Sequence, residues 1–194
     1  ILRDPRQKEQ GKVIDSMISQ VDIFPTLCDV IGIPKPEWLQ GISFSSLIEG
    51  KEESVREEIY GEINFHTSYE PVRCVRTERY KYIRYYDTAW LKLNLSNIDE
   101  SQTKDYYMKN ELDRQMKYQE ALYDPGERNN LAGHEDYQTV LEDMRQRLTF
   151  YEEKTEDPIF QGPVKILPQW KVNRKESQKA SSENPEDYIS VSSG

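Results

Sequence analysis

Histidine and cysteine are nearly missing from this chain of 194 residues, which has two of each. Two cysteines make no disulfide framework. Cys28 falls in an apolar helical pattern and Cys74 in a strand pattern, so two buried free thiols are expected. No run approaches the roughly 18 apolar residues that a membrane-spanning helix needs, so no membrane segment is expected. No leader is expected from the residues at Ile1, which says nothing of the compartment of a longer parent. Hydrophobic residues are lean at 36%, charged residues reach 31%, and the formal net charge is -9. Such an acidic surface repels nucleic acid in bulk, which argues against a nucleic-acid partner despite local arginines. There is no internal repeat and no complete catalytic constellation. With the abrupt start at Ile1, the chain reads as the C-terminal part of something larger.

What is present is concentrated between residues 58 and 86. Glu58 to Phe65 reads as a strand, followed by a polar loop with His66. From Val72 the alternation is clear. Val72, Cys74 and Arg76 fall on one side, and Arg73, Val75 and Thr77 on the other. Glu78-Arg79 is a turn candidate, and Tyr80 to Tyr85 alternate again, which predicts a β-hairpin rich in aromatic and β-branched residues. Four arginines (Arg73, Arg76, Arg79, Arg84) and Lys81 cluster here, the natural place for an anionic substrate. Against that, Arg76, Arg79, Lys81 and Arg84 read equally as a solvated sheet face, and the tyrosines as sheet packing.

Around this stretch lie three helical signals. Asp22 is a plausible N-cap, with Pro25 in the first turn. Ile23, Phe24, Leu27, Cys28 and Ile31 line one face. Gly32 suits the position just past the helix end, and Pro34 and Pro36 bar continuation. Phe44, Leu47 and Ile48 suggest one or two turns stopped by Gly50. Late in the chain Tyr137, Val140, Leu141, Met144, Leu148 and Tyr151 form an amphipathic stripe, expected to cover one face of the strands. Between residues 87 and 117 hydrophobes are sparse, and an inserted loop with a helical piece near Tyr106 to Met116 is expected. Gln119 to Tyr123 reads as a short strand that ends in the turn Asp124-Pro125-Gly126. From Lys171 onward the polar composition predicts a loosely attached tail. Asn94-Leu95-Ser96 is a glycosylation sequon by pattern.

Four segments, in order, carry a resemblance. Val21-Asp22-Ile23-Phe24-Pro25-Thr26-Leu27 with Gly32-Ile33 is the first. Leu39-Gln40-Gly41-Ile42-Ser43-Phe44 with Leu47-Ile48-Glu49-Gly50 is the second. Val72-Arg73 through Arg76-Thr77-Glu78-Arg79-Tyr80-Lys81-Tyr82-Ile83 is the third. Leu122-Tyr123-Asp124-Pro125-Gly126-Glu127 with Asn129-Asn130-Leu131-Ala132 is the fourth, with a shortened turn. Together they resemble the C-terminal part of a sulfatase, in the alkaline-phosphatase-like superfamily. The loop from Glu62 to Pro71, with Arg73, leans toward the sulfamidase and glycosaminoglycan-sulfatase branch.

The resemblance implies an α+β chain, the C-terminal portion of an α/β sulfatase fold. Residues 1–65 would end the large α/β catalytic domain. Residues 66–156 would form a small antiparallel-sheet subdomain packed against a C-terminal helix, and residues 157–194 an extended polar tail. It implies sulfate-ester or sulfamate hydrolysis, with a formylglycine nucleophile and calcium or another divalent cation in the complete enzyme. A cation would neutralise sulfate oxygens while a geminal diol attacks sulfur. Neither cysteine fits the Cys/Ser-x-Pro-x-Arg motif, so no catalytic residue and no metal ligand is assigned here. The implied partners are the N-terminal catalytic part of the same protein and a sulfated small molecule or saccharide. His66 and Arg73 are the candidate substrate-binding residues. Imidazole can donate to a sugar hydroxyl or assist a leaving group; guanidinium forks onto a carboxylate or second sulfate. The bland alternatives are a loop-anchoring histidine and a structural pair of Arg73 with Glu62 or Glu70. His134 reads as a surface residue beside a helix start. For the whole chain, the alternatives are a non-catalytic interaction module and a related phosphoester or phosphonate hydrolase.

Overall fold

A computed structural model describes residues 2–3, 11–112 and 119–189. Its contacts divide the chain into two compact units, one of residues 1–60 with 76–78 and one of residues 61–75 with 79–194.

The first unit carries helix α1 (Ile23–Ile31) and the single turn α2 (Ser45–Ile48). Gly32 closes α1 in the left-handed region at φ 74°, and its N–H bonds back to the Asp29 and Cys28 carbonyls. Only glycine takes that conformation without a Cβ penalty. Asp22 does not cap α1 with its side chain. Its buried carboxylate instead accepts from the Ser19 N–H at 2.8 Å, from the Ile42 N–H at 2.7 Å, and from the guanidinium of Arg56. Burial works against that charge, yet Arg56 and the two backbone donors hold the acid below the usual carboxylate range. Thr26 donates to the Asp22 carbonyl at 2.6 Å and accepts from the Phe44 N–H at 2.9 Å. Asp22 and Thr26 therefore fasten the segment 42–44 to the start of α1.

The sheet comprises β1 (Glu58–Phe65), β2 (Tyr69–Thr77), β3 (Lys81–Tyr85) and β4 (Glu120–Tyr123), in the order β1-β2-β3-β4. It is a small antiparallel sheet of an α+β fold. Strands β3 and β4 pair with Tyr82 opposite Leu122 and Arg84 opposite Glu120. Along β2 the buried positions are Pro71, Arg73 and Val75, the parity that the alternation predicts.

In the second unit, helix α4 (Gln138–Lys154) brings Leu141, Met144 and Leu148 down on the sheet. Each is 1% exposed, and Val75, Tyr82, Ala121 and Leu122 are buried in the core with them. Burial of such apolar side chains contributes about 1.5–3 kcal/mol each. The next residue along that stripe is Glu152, buried with them. Helix α3 (Gln102–Lys109) begins on the Ser101 hydroxyl, which accepts from the Lys104 N–H. It starts earlier than the expected helical piece, and residues 113–116 of that expectation lie outside the described residues. The turn after β4 forms as predicted. Gly126 donates to the Asp124 carboxylate at 3.0 Å, and Glu127 bonds the Asp124 carbonyl at φ 47°.

The segment after α4 is not loosely held over its described part. Val172, Asn173 and Ser177 are buried. Asn173 bridges Ser68 on one side and Tyr188 on the other. Backbone pairing holds this segment with little help from apolar side chains, so hydrophobicity alone gives no sign of it.

Candidate functional site

The turn between β1 and β2 is three residues long, His66, Thr67 and Ser68. Each is placed differently. His66 is exposed, and its N–H lies 3.4 Å from the Ser68 carbonyl. Thr67 is tied on both sides. Its N–H donates to Asn97 Oδ1 at 3.2 Å and its hydroxyl to Ser96 at 2.8 Å, while its carbonyl accepts from the Asn173 N–H at 2.8 Å. Ser68 is fully buried. Two residues on, the Glu70 carboxylate accepts from Asn94 at 2.8 Å and Asn97 at 2.6 Å. The tip is thus gripped by residues 94–97 and by residues around 173, leaving the His66 side chain at the surface. Phe65 adds an aromatic anchor, with ring centroids 5.0 Å from Tyr69 and 5.5 Å from Trp170.

Arg73 lies in the body of the same hairpin and is 1% exposed. Its Nε reaches Asp157 Oδ2 at 2.6 Å and its Nη2 reaches Oδ1 at 2.8 Å. Nη2 also donates to Asn64 Oδ1 at 2.9 Å, and Nη1 to the carbonyls of Ile63 and Val72, both at 3.0 Å. A guanidinium has five N–H donors, and all five are taken by the chain itself. Burial opposes the charge, but Asp157 outweighs it, with Glu62 at 3.8 Å in support, so Arg73 is held above its ordinary value. The hydrogen bonds from Arg73 hold the Asp157 carboxyl below the usual range. Asp157 also accepts from the Ile159 N–H at 2.9 Å, starting a short helical turn with Pro158 in first position. The Asp-Pro signature marks that turn in the sequence, but nothing local marks its partner.

Beside this pair runs a second polar chain. Tyr86 donates to the buried Glu152, and Arg84 donates to Tyr82 at 3.0 Å and stacks over the rings of Tyr82 and Tyr86. Tyr82 donates to Glu120 at 2.7 Å, and Arg145 closes the chain on Glu120. Burial pushes the Glu152 carboxyl up, against the pull of Tyr86 and Arg84. Arg84 therefore faces a half-buried polar network anchored on the buried Tyr82 and Glu152, unlike the solvated sheet face expected for it. Lys81 meets Glu127 at 2.9 Å.

Elsewhere, Asn94 is 1% exposed and spends its amide on Glu70, so the sequon is not presented at the surface of the folded chain. His134 is exposed, its ring edge-on to Tyr137. It borders an open depression of about 450 Å³ with Tyr123, Glu127, Arg128 and Leu131.

Residues 1–122 match the family model for the C-terminal region of N-sulphoglucosamine sulphohydrolase. The chain belongs to that sulfatase family. It is 32% identical over 163 residues to a Delta 4,5-hexuronate-2-O-sulfatase of Bacteroides thetaiotaomicron, covering 81% of this chain and 28% of that protein. It is 28% identical over 153 residues to an ulvan-active sulfatase of Formosa agariphila, covering 74% of this chain and 30% of that protein. The solved structure of a 2-O GAG sulfatase matches with a TM-score of 0.54 and 27% identity, over 76% of this chain and 27% of that one. The chain spans under a third of the length of these relatives and corresponds to their C-terminal part.

The described residues do not fit the groups that the family implies for a complete enzyme. Among them no three His, Cys, Asp or Glu side chains come together to hold a metal. Cys28 is buried in α1 and is followed by Asp29-Val30; the Cys74 thiol, pushed up by burial, sits against Gly61. Neither position can become a formylglycine in the family motif.

Proposed function

We propose that this chain forms the C-terminal wall of a sulfatase acting on a sulfated saccharide, with His66 meeting the sugar and Arg73 holding the hairpin that presents it. The observation that carries this reading is the placement of His66. It is the exposed side chain of a three-residue tip whose other two members are held by Ser96 and Asn97 on one side and by pairing with Asn173 on the other. A side chain on a rigid turn loses little freedom on binding, so a single hydrogen bond from it is used efficiently. The family match supports sulfate-ester or sulfamate chemistry, and the names of the relatives support a saccharide substrate. Nucleophile and cation would belong to the part of the enzyme that this chain does not match.

Arg73 serves this site at one remove. Its fork on Asp157 and its bonds to Ile63 and Asn64 fix the strand that leads into the tip. The test is His66→Ala in the complete enzyme, assayed on a sulfated disaccharide and on a small aryl sulfate. Loss of one sugar hydrogen bond predicts a fall in kcat/KM of about tenfold on the disaccharide, with little change on the aryl ester. Equal effects on the two substrates would remove His66 from the sugar site. Release of phosphate in preference to sulfate from paired aryl esters would favour the phosphohydrolase alternative.

A further inference from the structure

Trp170 is an exposed indole on a pinned backbone. It closes the turn Leu167-Pro168-Gln169-Trp170, donating its N–H to the Leu167 carbonyl at 2.9 Å. Pro168 stands second in that turn, where its fixed φ is pre-set for the bend. Two residues beyond Trp170, Val172 is buried and its carbonyl accepts from the Ile189 N–H at 2.8 Å. Asn173 is buried as well and donates its N–H to the Thr67 carbonyl at 2.8 Å. Trp170 is thus fixed before and after in the chain, yet it is 43% exposed.

The ring is also braced from the side. Its centroid lies 5.5 Å from that of Phe65, with the planes at 70°. Such an edge contact covers at most one face of the indole. Phe65 in turn leans on Tyr69, whose ring is 5.0 Å away and whose hydroxyl accepts from the Val164 N–H at 3.1 Å. Trp170, Phe65 and Tyr69 form a row at the base of the hairpin tip that carries His66. Scattered exposed apolar side chains are ordinary on a surface. A braced tryptophan is different, because it offers a large flat contact and has little freedom left to lose on binding.

The charge around it is of one sign. Residues 163–175 contain Lys165, Lys171, Arg174 and Lys175 and no acid, in a chain of formal net charge -9. Lys175 is taken by Asp87, while Lys165, Lys171 and Arg174 are exposed. On an acidic protein such a stretch draws an anionic ligand to one place. The ligand that suits a flat aromatic among cations has an apolar face and anionic substituents. A sulfated or carboxylated pyranose has both, since the C–H bonds on its face are partly positive and meet the negative face of an indole.

We propose that Trp170 is a stacking platform for one ring of an anionic saccharide, with Lys165, Lys171 and Arg174 supplying the positive field for its sulfate or carboxylate groups. These residues lie outside residues 1–122, which match the family model, so that match does not assign the role. It rests on the saccharide reading given above, and extends that reading from a contact at His66 to a further ring of the substrate chain.

The test is calorimetric binding of a sulfated glycosaminoglycan tetrasaccharide, and of the same tetrasaccharide after desulfation, to the 194-residue chain. Trp170→Leu and Trp170→Phe both keep an apolar side chain against Phe65, but only Phe keeps a flat face. Trp170→Leu is expected to weaken binding of both saccharides about tenfold, the size of a lost aromatic anchor. Trp170→Phe should stay within about threefold of wild type, because a smaller ring still stacks. The pair Lys165→Gln and Lys171→Gln should weaken the sulfated saccharide more than the desulfated one, and flatten the dependence of its affinity on salt. Leu and Phe variants that bind alike would overturn the platform, as would a wild-type chain that binds neither saccharide at millimolar concentration. A lysine pair without effect would overturn the part given to the cations. Sulfate release from the complete enzyme is assayed separately: its absence alongside intact binding would count against the sulfatase reading and not against the platform.

Discussion

Arg73 and Asp157, 84 residues apart in the sequence, meet in a buried two-pronged ion pair with contacts of 2.6 and 2.8 Å. The pair joins the first hairpin to the end of α4, and it uses the one cation whose planar fork fits a carboxylate at two points.

Breaking one half of such a pair strands a buried charge. Asp157→Asn and Arg73→Ala are each expected to cost about 3–5 kcal/mol. Arg73→Lys should fall close behind them, since an ammonium cannot serve five acceptors in a plane. The double change Arg73→Met with Asp157→Leu should recover most of the loss. Urea denaturation of the four proteins checks the order; additive single losses in the double variant would show that the two residues are not coupled.

Two neighbouring carboxyls should respond to pH in opposite senses. Asp157 is held below its usual value. Its contribution is present above the unfolded value near ~3.9 and is lost as pH falls through the lower folded value. Glu152 is pushed up by burial. The folded chain therefore holds that proton more tightly than the unfolded one, favouring folding below about 4.3, and this contribution is lost as pH rises through the folded value. The melting temperature of Glu152→Gln relative to wild type should thus be more favourable near about pH 7 than near about pH 4. For Asp157→Asn the deficit should shrink as the solution is acidified. A pH-independent difference in either case would contradict the assigned direction.

Much of the fold was legible because it rests on local periodicity. The α1 stripe, the β2–β3 hairpin, the Asp124-Pro125-Gly126 turn and α4 all announce themselves within a few residues. The family was legible for the same reason, since its signature lies in these segments. Long-range polar pairing was not. Nothing near Asp22 shows that its carboxylate prefers Arg56 to the helix end, and nothing near Lys104 shows that its ammonium is buried against the carbonyls of Ile98 and Gln178. Residues 87–112 look like a solvated insert because hydrophobes are few, yet Asn94, Leu95, Ser96 and Lys104 are all buried there. At the candidate site, the placement of His66 on an exposed turn was legible from residue type and loop position. The tie between Arg73 and Asp157 needed the fold.

Gly41 offers a test of the first unit alone. With a Cβ placed 1.9 Å from a backbone oxygen, Gly41→Ala cannot be absorbed by a side-chain rotation. Overpacking of this kind costs about 1–3 kcal/mol. The loss should appear as faster hydrogen exchange across residues 19–44, with residues 120–150 unaffected. Uniform exchange changes in both regions would mean that the two units do not open separately.

The grip on the hairpin tip can be removed one donor at a time. Asn173→Ala deletes the side-chain bond to the Lys179 carbonyl but keeps the backbone N–H that reaches Thr67. Asn173→Pro deletes that N–H as well. If the backbone bond is what holds the turn, hydrogen exchange at residues 66–68 should rise far more in the proline variant than in the alanine variant. If His66 meets the sugar as proposed, the proline variant of the complete enzyme should also lose kcat/KM on a sulfated disaccharide, because a loosened tip would no longer present that side chain in one place. Should the two variants exchange alike, the contact at Thr67 would be incidental, and the rigidity of the tip would have to come from Asn97 and Ser96 alone.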